Sequence, residues 1–330
     1  MKRILPVAII IPIREAPQGA LNRLAQAICD QTAWPAEIIL VNADSEDSGS
    51  VDFNFSNRFD GSVKIKAVVA PNAHPGKARN LGVAKADQPF LAFLDLMTIP
   101  SPTWLEKSWE LIGQDNCDGL IGGCRFIGGN FFSWILIDGL FGRGVIASFP
   151  GSLLTADGFR KVGPMLAKTR AGEDNEWLQR AKLMDVNFSW VNKEAVCNYL
   201  GFQNITFSEF CKKWIRNYWS AANLPQYKLI SQFNLLVWFA IAIGLAFNWN
   251  AFFAEWDLSH PLYLPHISKI TLATLFLGYF SYRTIYLPIR RGSTLRQILS
   301  YRILLIFLTA TTADVIKSVA FLLASFNPRH

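Results

Sequence analysis

Three apolar stretches in the last third of the chain, residues 229–249, 270–287 and 303–326, constrain its architecture more than any other feature. Each is close to the ~17–25 residues that a helix needs to cross a bilayer. The charge pattern agrees with that reading. Residues 1–200 carry 20 Lys+Arg against 21 Asp+Glu, while residues 201–330 carry 12 against 4. The basic excess therefore sits in the most apolar part of the chain. A protein that binds a nucleic acid polymer would place it on a polar face or arm instead. Arg290, Arg291, Arg296 and Arg302 lie between the second and third stretches, and Lys212, Lys213, Arg216 and Lys228 precede the first. Both connections are expected to face the cytoplasm of an inner or plasma membrane.

The five cysteines are odd in number and show no C-x-x-C spacing, which predicts neither a zinc site nor a disulfide framework. The N-terminal MKRILPVAIIIPI has a basic start and an apolar core but no small-residue cleavage site, so it reads as a first buried strand. The segment TFSEFCKKWIRNYWSAAN opens with a capping box of Thr206 and Glu209. It places Phe207, Phe210, Cys211, Trp214, Ile215 and Tyr218 on one face and basic residues on the other. That composition predicts a helix lying in the membrane interface over residues 206–225. Inside the third stretch, Asp314 and Lys317 are spaced i and i+3; structural pairing, or snorkelling of Lys317, is the expectation, and a lipid or ion pathway is the sharper alternative.

Residues 1–205 follow a different rule. Short β-rich runs (VAIIIPI, EIILVNA, KIKAVVA, PFLAFLD) alternate with helical patterns, the signature of an α/β domain with a mostly parallel sheet. Such sheets bind ligands at the carboxyl ends of their strands. Those ends hold Arg14 and Glu15, then Asn42, Asp44 and Asp47, then Asp95.

At these residues the chain resembles a known family. VAIIIPIREA, ICDQTAWPAEIILVNADSED, GKARNLGVAKADQPFLAFLDLMTIPSPTWLE, GSLLTADGFRKVG and GEDNEWLQRAK match, in order and spacing, the blocks of family 2 glycosyltransferases. The resemblance implies a GT-A fold, the Rossmann-like fold of nucleotide-diphospho-sugar transferases. It implies donor contacts at Glu15, Asn42, Asp47, Lys77, Arg79 and Asp95. It implies a divalent cofactor, Mg²⁺ or Mn²⁺, at Asp95, the first acid of the family's Asp-x-Asp motif. It also implies that Asp174, beside Glu173, is the general base of inverting transfer. Trp177 and Arg180, one and two turns further on, are expected on the acceptor side.

The sequence departs from the family at four positions. Arg14 stands at an expected Asn, Asn42 and Ala43 at two expected aspartates, and Met97 at the second metal-binding acid. A thioether is a poor ligand for a hard cation, but Mg²⁺ often binds through one carboxylate, water and substrate phosphates. No Q-x-x-R-W block follows the acids, which speaks against a polymerising synthase. The expected protein is therefore a membrane-anchored enzyme of the hexosyltransferase type with a cytoplasmic catalytic domain. Its expected partners are a nucleotide sugar, the membrane, and a lipid or lipid-linked acceptor in glycan or exopolysaccharide biosynthesis. The alternative is a catalytically silent GT-A module acting as a membrane scaffold or binding protein. The expected division is 1–205 catalytic, 206–225 interfacial and 226–330 transmembrane.

Overall fold

Two long β-branched runs form the centre of the structure. β1 (Arg3–Ile13) and β2 (Ala33–Asn42) bury most of their side chains regardless of alternation, as strands covered on both faces do. Between them α1 (Ala20–Cys29) buries Ala20, Leu24, Ala25 and Ile28 at helical spacing. In this computed structural model the described residues are 2–15, 19–44, 55, 58–190, 196–222, 224, 231–299 and 301–326. They fall into two compact units, Met1–Ile137 with Arg143–Phe210, and Asp138–Gly142 with Cys211–His330.

In the first unit the chain continues through β3 (Lys64–Val69), α2 (Pro75–Lys85), β4 (Phe90–Phe93), β5 (Thr98–Pro100), α3 (Trp104–Asp115), β6 (Gly119–Ile121) and β7 (Gly123–Phe126). It then forms α4 (Phe131–Leu140), β8 (Ile146–Ala147), β9 (Leu153–Thr155), α5 (Ala156–Val162), α6 (Glu173–Leu183), β10 (Phe188–Trp190) and β11 (Val196–Tyr199). Seven strands make one sheet in the order β10-β6-β9-β4-β1-β2-β3. Only β9 runs antiparallel to its neighbours. Apolar clusters cover both faces. One joins α1 and α3 to the sheet through Leu24, Ile28, Trp104 and Ile112. The other joins α2, α5 and α6 to it through Ala78, Phe159 and Trp177. A second sheet, β5-β11-β7-β8, is not anticipated by the sequence pattern, since its strands are only two to four residues long.

The helices of the second part differ from expectation in three respects. The capping box forms, with Thr206 N–H donating to Glu209 Oε2 at 2.8 Å and Glu209 N–H donating to Thr206 Oγ1 at 3.3 Å. However, the apolar face of α7 (Phe207–Ala221) is shared between two environments. Phe210 and Trp214 are buried in protein, while Phe207, Ile215 and Trp219 are exposed. Trp214 packs edge-on to Phe141 and Tyr218 packs against Phe321, so part of the stripe assigned to the membrane interface is protein core.

The expected spans become α8 (Ser231–Phe253), then α9 (Ile267–Ser281) extended by a π-helical turn at Tyr282–Tyr286 and by α10 (Leu287–Arg290), and after α11 (Leu295–Ile298) finally α12 (Arg302–Phe326). Among the described residues, one segment, Arg302–Leu323, is long and apolar enough to cross a membrane, and Phe239–Phe253 is apolar but shorter. The helix α12 is two-faced. Leu304, Leu308, Val315, Val319 and Leu322 are exposed, while Ile306, Ala310, Ala313 and Ala320 are buried.

Asp314 does not pair with Lys317. Arg283, on the π-helical turn, reaches it instead, with Nε 2.7 Å from Oδ2 and Nη2 3.2 Å from Oδ1. The Lys317 ammonium lies over the Tyr218 ring, 5.2 Å from its centre, and the Asp314 carboxylate is occupied by Arg283. Two of the arginines read as cytoplasmic markers also have protein partners. Arg302 Nη2 is 3.5 Å from the buried Asp138 carboxylate, and Arg291 donates to the Leu140 carbonyl.

Candidate active site

The site is assembled from three strand ends and two helix starts of the first unit. β1 ends at Ile13 and delivers Arg14 and Glu15; β2 ends at Asn42; β4 ends at Phe93, two residues before Asp95. The first two ends are tied together. Asn42 Oδ1 accepts from the Asp44 N–H, and Asp44 Oδ1 accepts from the Glu15 N–H, each at 2.9 Å. Glu15 adopts a left-handed φ of 49° to make this bond, and its exposed carboxylate lies 3.5 Å from Arg14 Nε. Asn42 is buried, and its side chain holds the turn to Asp44. Asp47 lies outside the described residues.

Arg79 is the centre of the site. It lies one turn into α2, with its side chain 4% exposed. Its Nη1 donates to Glu173 Oε1 and its Nη2 to Asp95 Oδ1, both at 2.8 Å. The guanidinium also lies over the Phe149 ring, 5.6 Å from its centre. Burial opposes the charge, but Asp95, Glu173 and Asp174 together outweigh it and hold Arg79 firmly protonated. One buried arginine thus fixes two carboxylates 78 residues apart in sequence. Lys77, two residues earlier, is exposed and takes no part in this network.

The two neighbouring acids of α6 have different surroundings. Glu173 shares the inward stripe of the helix with Trp177 and Ala181, and its Oε2 is buried without a hydrogen-bond partner. Burial, and then the Asp174 charge, push the Glu173 carboxyl up to about 7 against the pull of Arg79. Asp174 is half-buried and accepts the Asn175 N–H on Oδ1 at 2.8 Å. The two adjacent carboxyls thus sit in unlike environments, a common basis for dividing acid–base roles.

Of the two residues expected on the acceptor side, Trp177 is buried in the core and Arg180 is engaged by the protein itself. Trp177 is fully buried, stacks on Phe159 and Phe188, and donates its indole N–H to the Gly163 carbonyl. The spacing of four residues that aligns it with Glu173 also turns it into the core. Arg180 pairs with Glu176 and donates to the carbonyls of Val162 and Pro164, so it braces the loop ahead of α6.

Sequence reasoning did not identify three site-building residues. Asn80 pairs with the backbone of Met165 in both directions, Nδ2 to the carbonyl at 2.8 Å and the Met165 N–H to Oδ1 at 2.9 Å. Beside it, a Cβ on Gly76 would fall 2.3 Å from the Leu166 carbonyl oxygen, so only glycine lets α2 approach the loop this closely. His74, at the start of α2, is the third. Burial lowers its pKa, and Arg14 and then Arg170 lower it further, so two cations lie near an imidazole held in its neutral form. The sequence signal for Asn80 and Gly76 was the GKARN block itself, of which only the basic members were assigned.

Met97 belongs to the apolar cluster under α1 and α3, and Ala43 to the cluster on the other face. Both replacements of expected acids are packing residues. Asp95 is the one hard ligand on its loop, and among the described residues no group of three or more His, Cys, Asp or Glu could hold a metal ion. The donor set fits a divalent ion only when water and phosphate oxygens complete the shell.

Residues 8–171 match the family model for Glycosyl transferase family 2. The match lies wholly within the first unit apart from residues 138–142, and it includes the strand ends, α2 and Asp95. An α/β fold of the GT-A type with a mixed sheet accords with it. No curated protein matches the chain. Among solved structures the chain is similar to Staphylococcus aureus TarS 1–349 in complex with UDP-GlcNAc, at 14% identity and a TM-score of 0.47, over 100% of this chain and 93% of that one. It is also similar to S. aureus TarS, at 14% identity and a TM-score of 0.46, over 97% of this chain. The chain spans 55% of the length of that TarS structure.

Proposed function

We propose that the chain is a membrane-anchored inverting glycosyltransferase. It moves a single sugar from a nucleotide-sugar donor to a lipid or lipid-linked acceptor in glycan or exopolysaccharide biosynthesis. The family match over residues 8–171 supports the reaction class. The observation that carries the mechanism is the Arg79 bridge, which draws Asp95 and Glu173 into one site next to Asp174.

In this reading the Asp174 carboxylate takes the proton of the acceptor hydroxyl as its oxygen bonds to the anomeric carbon. The bond from that carbon to the diphosphate breaks on the opposite face, and its electron pair leaves with the nucleoside diphosphate. Glu173 and Arg79 hold the base in place, and the cations Arg14 and Arg170 attract the phosphates. Asp95, with water and the donor phosphates, would hold the divalent ion, which supplies neutralisation of the leaving charge. The anchor is three spans, α8, α9 to α10, and α12, with the catalytic domain on the cytoplasmic side. The exposed apolar face of α12 supports it.

A second reading, a catalytically silent scaffold, is favoured by Ala43 and Met97, where acids have given way to core packing. Membranes containing the chain, incubated with a panel of labelled sugar nucleotides, should transfer label to the lipid fraction from at least one donor. Absence of transfer from every donor, with donor binding intact, would establish the scaffold reading instead.

A further inference from the structure

The second unit contains a cavity of about 800 Å³ that has no part in the chemistry above. Apolar and aromatic side chains, among them Phe141, Trp214, Phe239 and Val319, form most of its wall. Four charged side chains also line it: Arg283, Arg291, Asp314 and Lys317. The size is that of a small-molecule site rather than a packing defect.

The charges do not cancel. Asp314 forms an ion pair with Arg283, accepts from its Nη2 at 3.2 Å and accepts from the Tyr279 hydroxyl at 2.9 Å, so this pair is neutral as a unit. Arg291 and Lys317 have no carboxylate partner among the described residues. Arg291 bonds a neutral carbonyl, that of Leu140, and the Lys317 ammonium lies 5.2 Å from the centre of the Tyr218 ring. Lys317 also falls on the inward stripe of α12, in step with Ile306, Ala310, Ala313 and Ala320, and not on the exposed apolar face. Its position therefore aims the charge at the cavity. Arg283, the residue that reaches Asp314, lies on the π-helical turn Tyr282–Tyr286.

Two cations facing an apolar space are costly unless an anion joins them. A phosphate monoester carries roughly two negative charges and three acceptor oxygens at neutral pH, which matches two donors of this kind. The apolar wall suits hydrocarbon. We propose that this cavity is a binding site for a lipid with a phosphomonoester headgroup, whose phosphate is held by Arg291 and Lys317 and whose chain lies along the aromatic wall. The proposal does not require that the bound lipid be the acceptor, nor that the chain transfer sugar.

The test uses the full chain purified in neutral detergent and a fluorescent phosphatidic acid, with binding read by anisotropy. Saturable binding is expected. Unlabelled phosphatidic acid should displace the probe, while phosphatidylcholine and inorganic phosphate at the same concentration should not. Lys317→Met should weaken binding about tenfold or more, the fold-change expected when a charge-assisted hydrogen bond is lost. Lys317→Arg should retain it, and Lys317→Gln serves if the methionine variant does not fold. Equal displacement by inorganic phosphate would show a free-anion site and overturn the lipid assignment. Unchanged affinity in a folded Lys317→Met or Lys317→Gln protein would overturn the site.

Discussion

The Arg79 guanidinium lies 2.8 Å from Glu173 Oε1, while Glu173 Oε2 is buried without a hydrogen-bond partner among the described residues. A carboxyl half satisfied in this way is poised to carry a proton. The adjacent Asp174 is half-buried and accepts a backbone N–H, and the first prediction concerns the difference between the two. Asp174→Asn should lower transfer by about 10²–10⁴-fold with donor binding nearly intact, because the amide preserves shape but accepts no proton. Glu173→Gln should leave substantially more activity. Transfer rates set beside donor binding by calorimetry check both, and full activity in Asp174→Asn would remove it from the mechanism.

The second prediction is a pH effect on stability. Burial raises the Glu173 carboxyl from 4.5 to about 7, so between these values the folded protein holds a proton that the unfolded chain has released. Stability from this group is fully present below about 4.5 and declines as pH rises through about 7. The melting temperature of the full chain in detergent should fall across that interval. Glu173→Gln should flatten the slope and should not be less stable than the parent at pH 8.

Gly76 tests the loop contact. Gly76→Ala places a methyl group against the Leu166 carbonyl, so α2 and the loop must separate and the Asn80–Met165 bonds lengthen. A loss of about 1–3 kcal/mol is expected, with weaker donor binding because Arg79 shifts with its helix. Chemical denaturation and calorimetry measure the two effects.

Met97→Asp should not restore a metal ligand. The side chain packs against the cluster under α1 and α3, so a carboxylate there would be drawn into an apolar setting at a cost of about 1–3 kcal/mol. Chelation should weaken donor binding in the parent and in Met97→Asp alike, and should have no effect in Asp95→Asn. Titrations with and without Mn²⁺ separate these cases.

For topology, three spans from a cytoplasmic catalytic domain put a reporter fused after His330 on the far side of the membrane. A cytoplasmic reporter would exclude the three-span arrangement.

The sheet order was legible where it depends on long apolar runs such as Ala33–Asn42, because burial on both faces leaves an unmistakable composition. The second sheet was not, since strands such as Ile146–Ala147 are shorter than any period that could reveal them. Asp95, Glu173 and Arg79 were found through motif blocks, yet their joint geometry depends on an ion-pair bridge that no local pattern encodes. Trp177 was misplaced because one helical spacing is compatible with either face, and only the Phe159 and Phe188 rings decide which. Asp314 was given a neighbour on its own helix, while its partner, Arg283, lies 31 residues away.

The short excursion Asp138–Gly142 has a consequence for synthesis. Its buried Asp138 is satisfied by Ser293 Oγ at 3.0 Å, 155 residues later, and Gly142, at φ 74°, leaves no room for a Cβ beside Arg291. At about 5–20 residues per second, the ribosome needs roughly 8–30 s to deliver that partner. Throughout this interval a carboxylate destined for the interior stays hydrated, and the nascent N-terminal sheet cannot complete the end of its own helix. The pace of translation through residues 143–293 therefore sets how long this unfinished strand of chain is open to misassembly or to a chaperone.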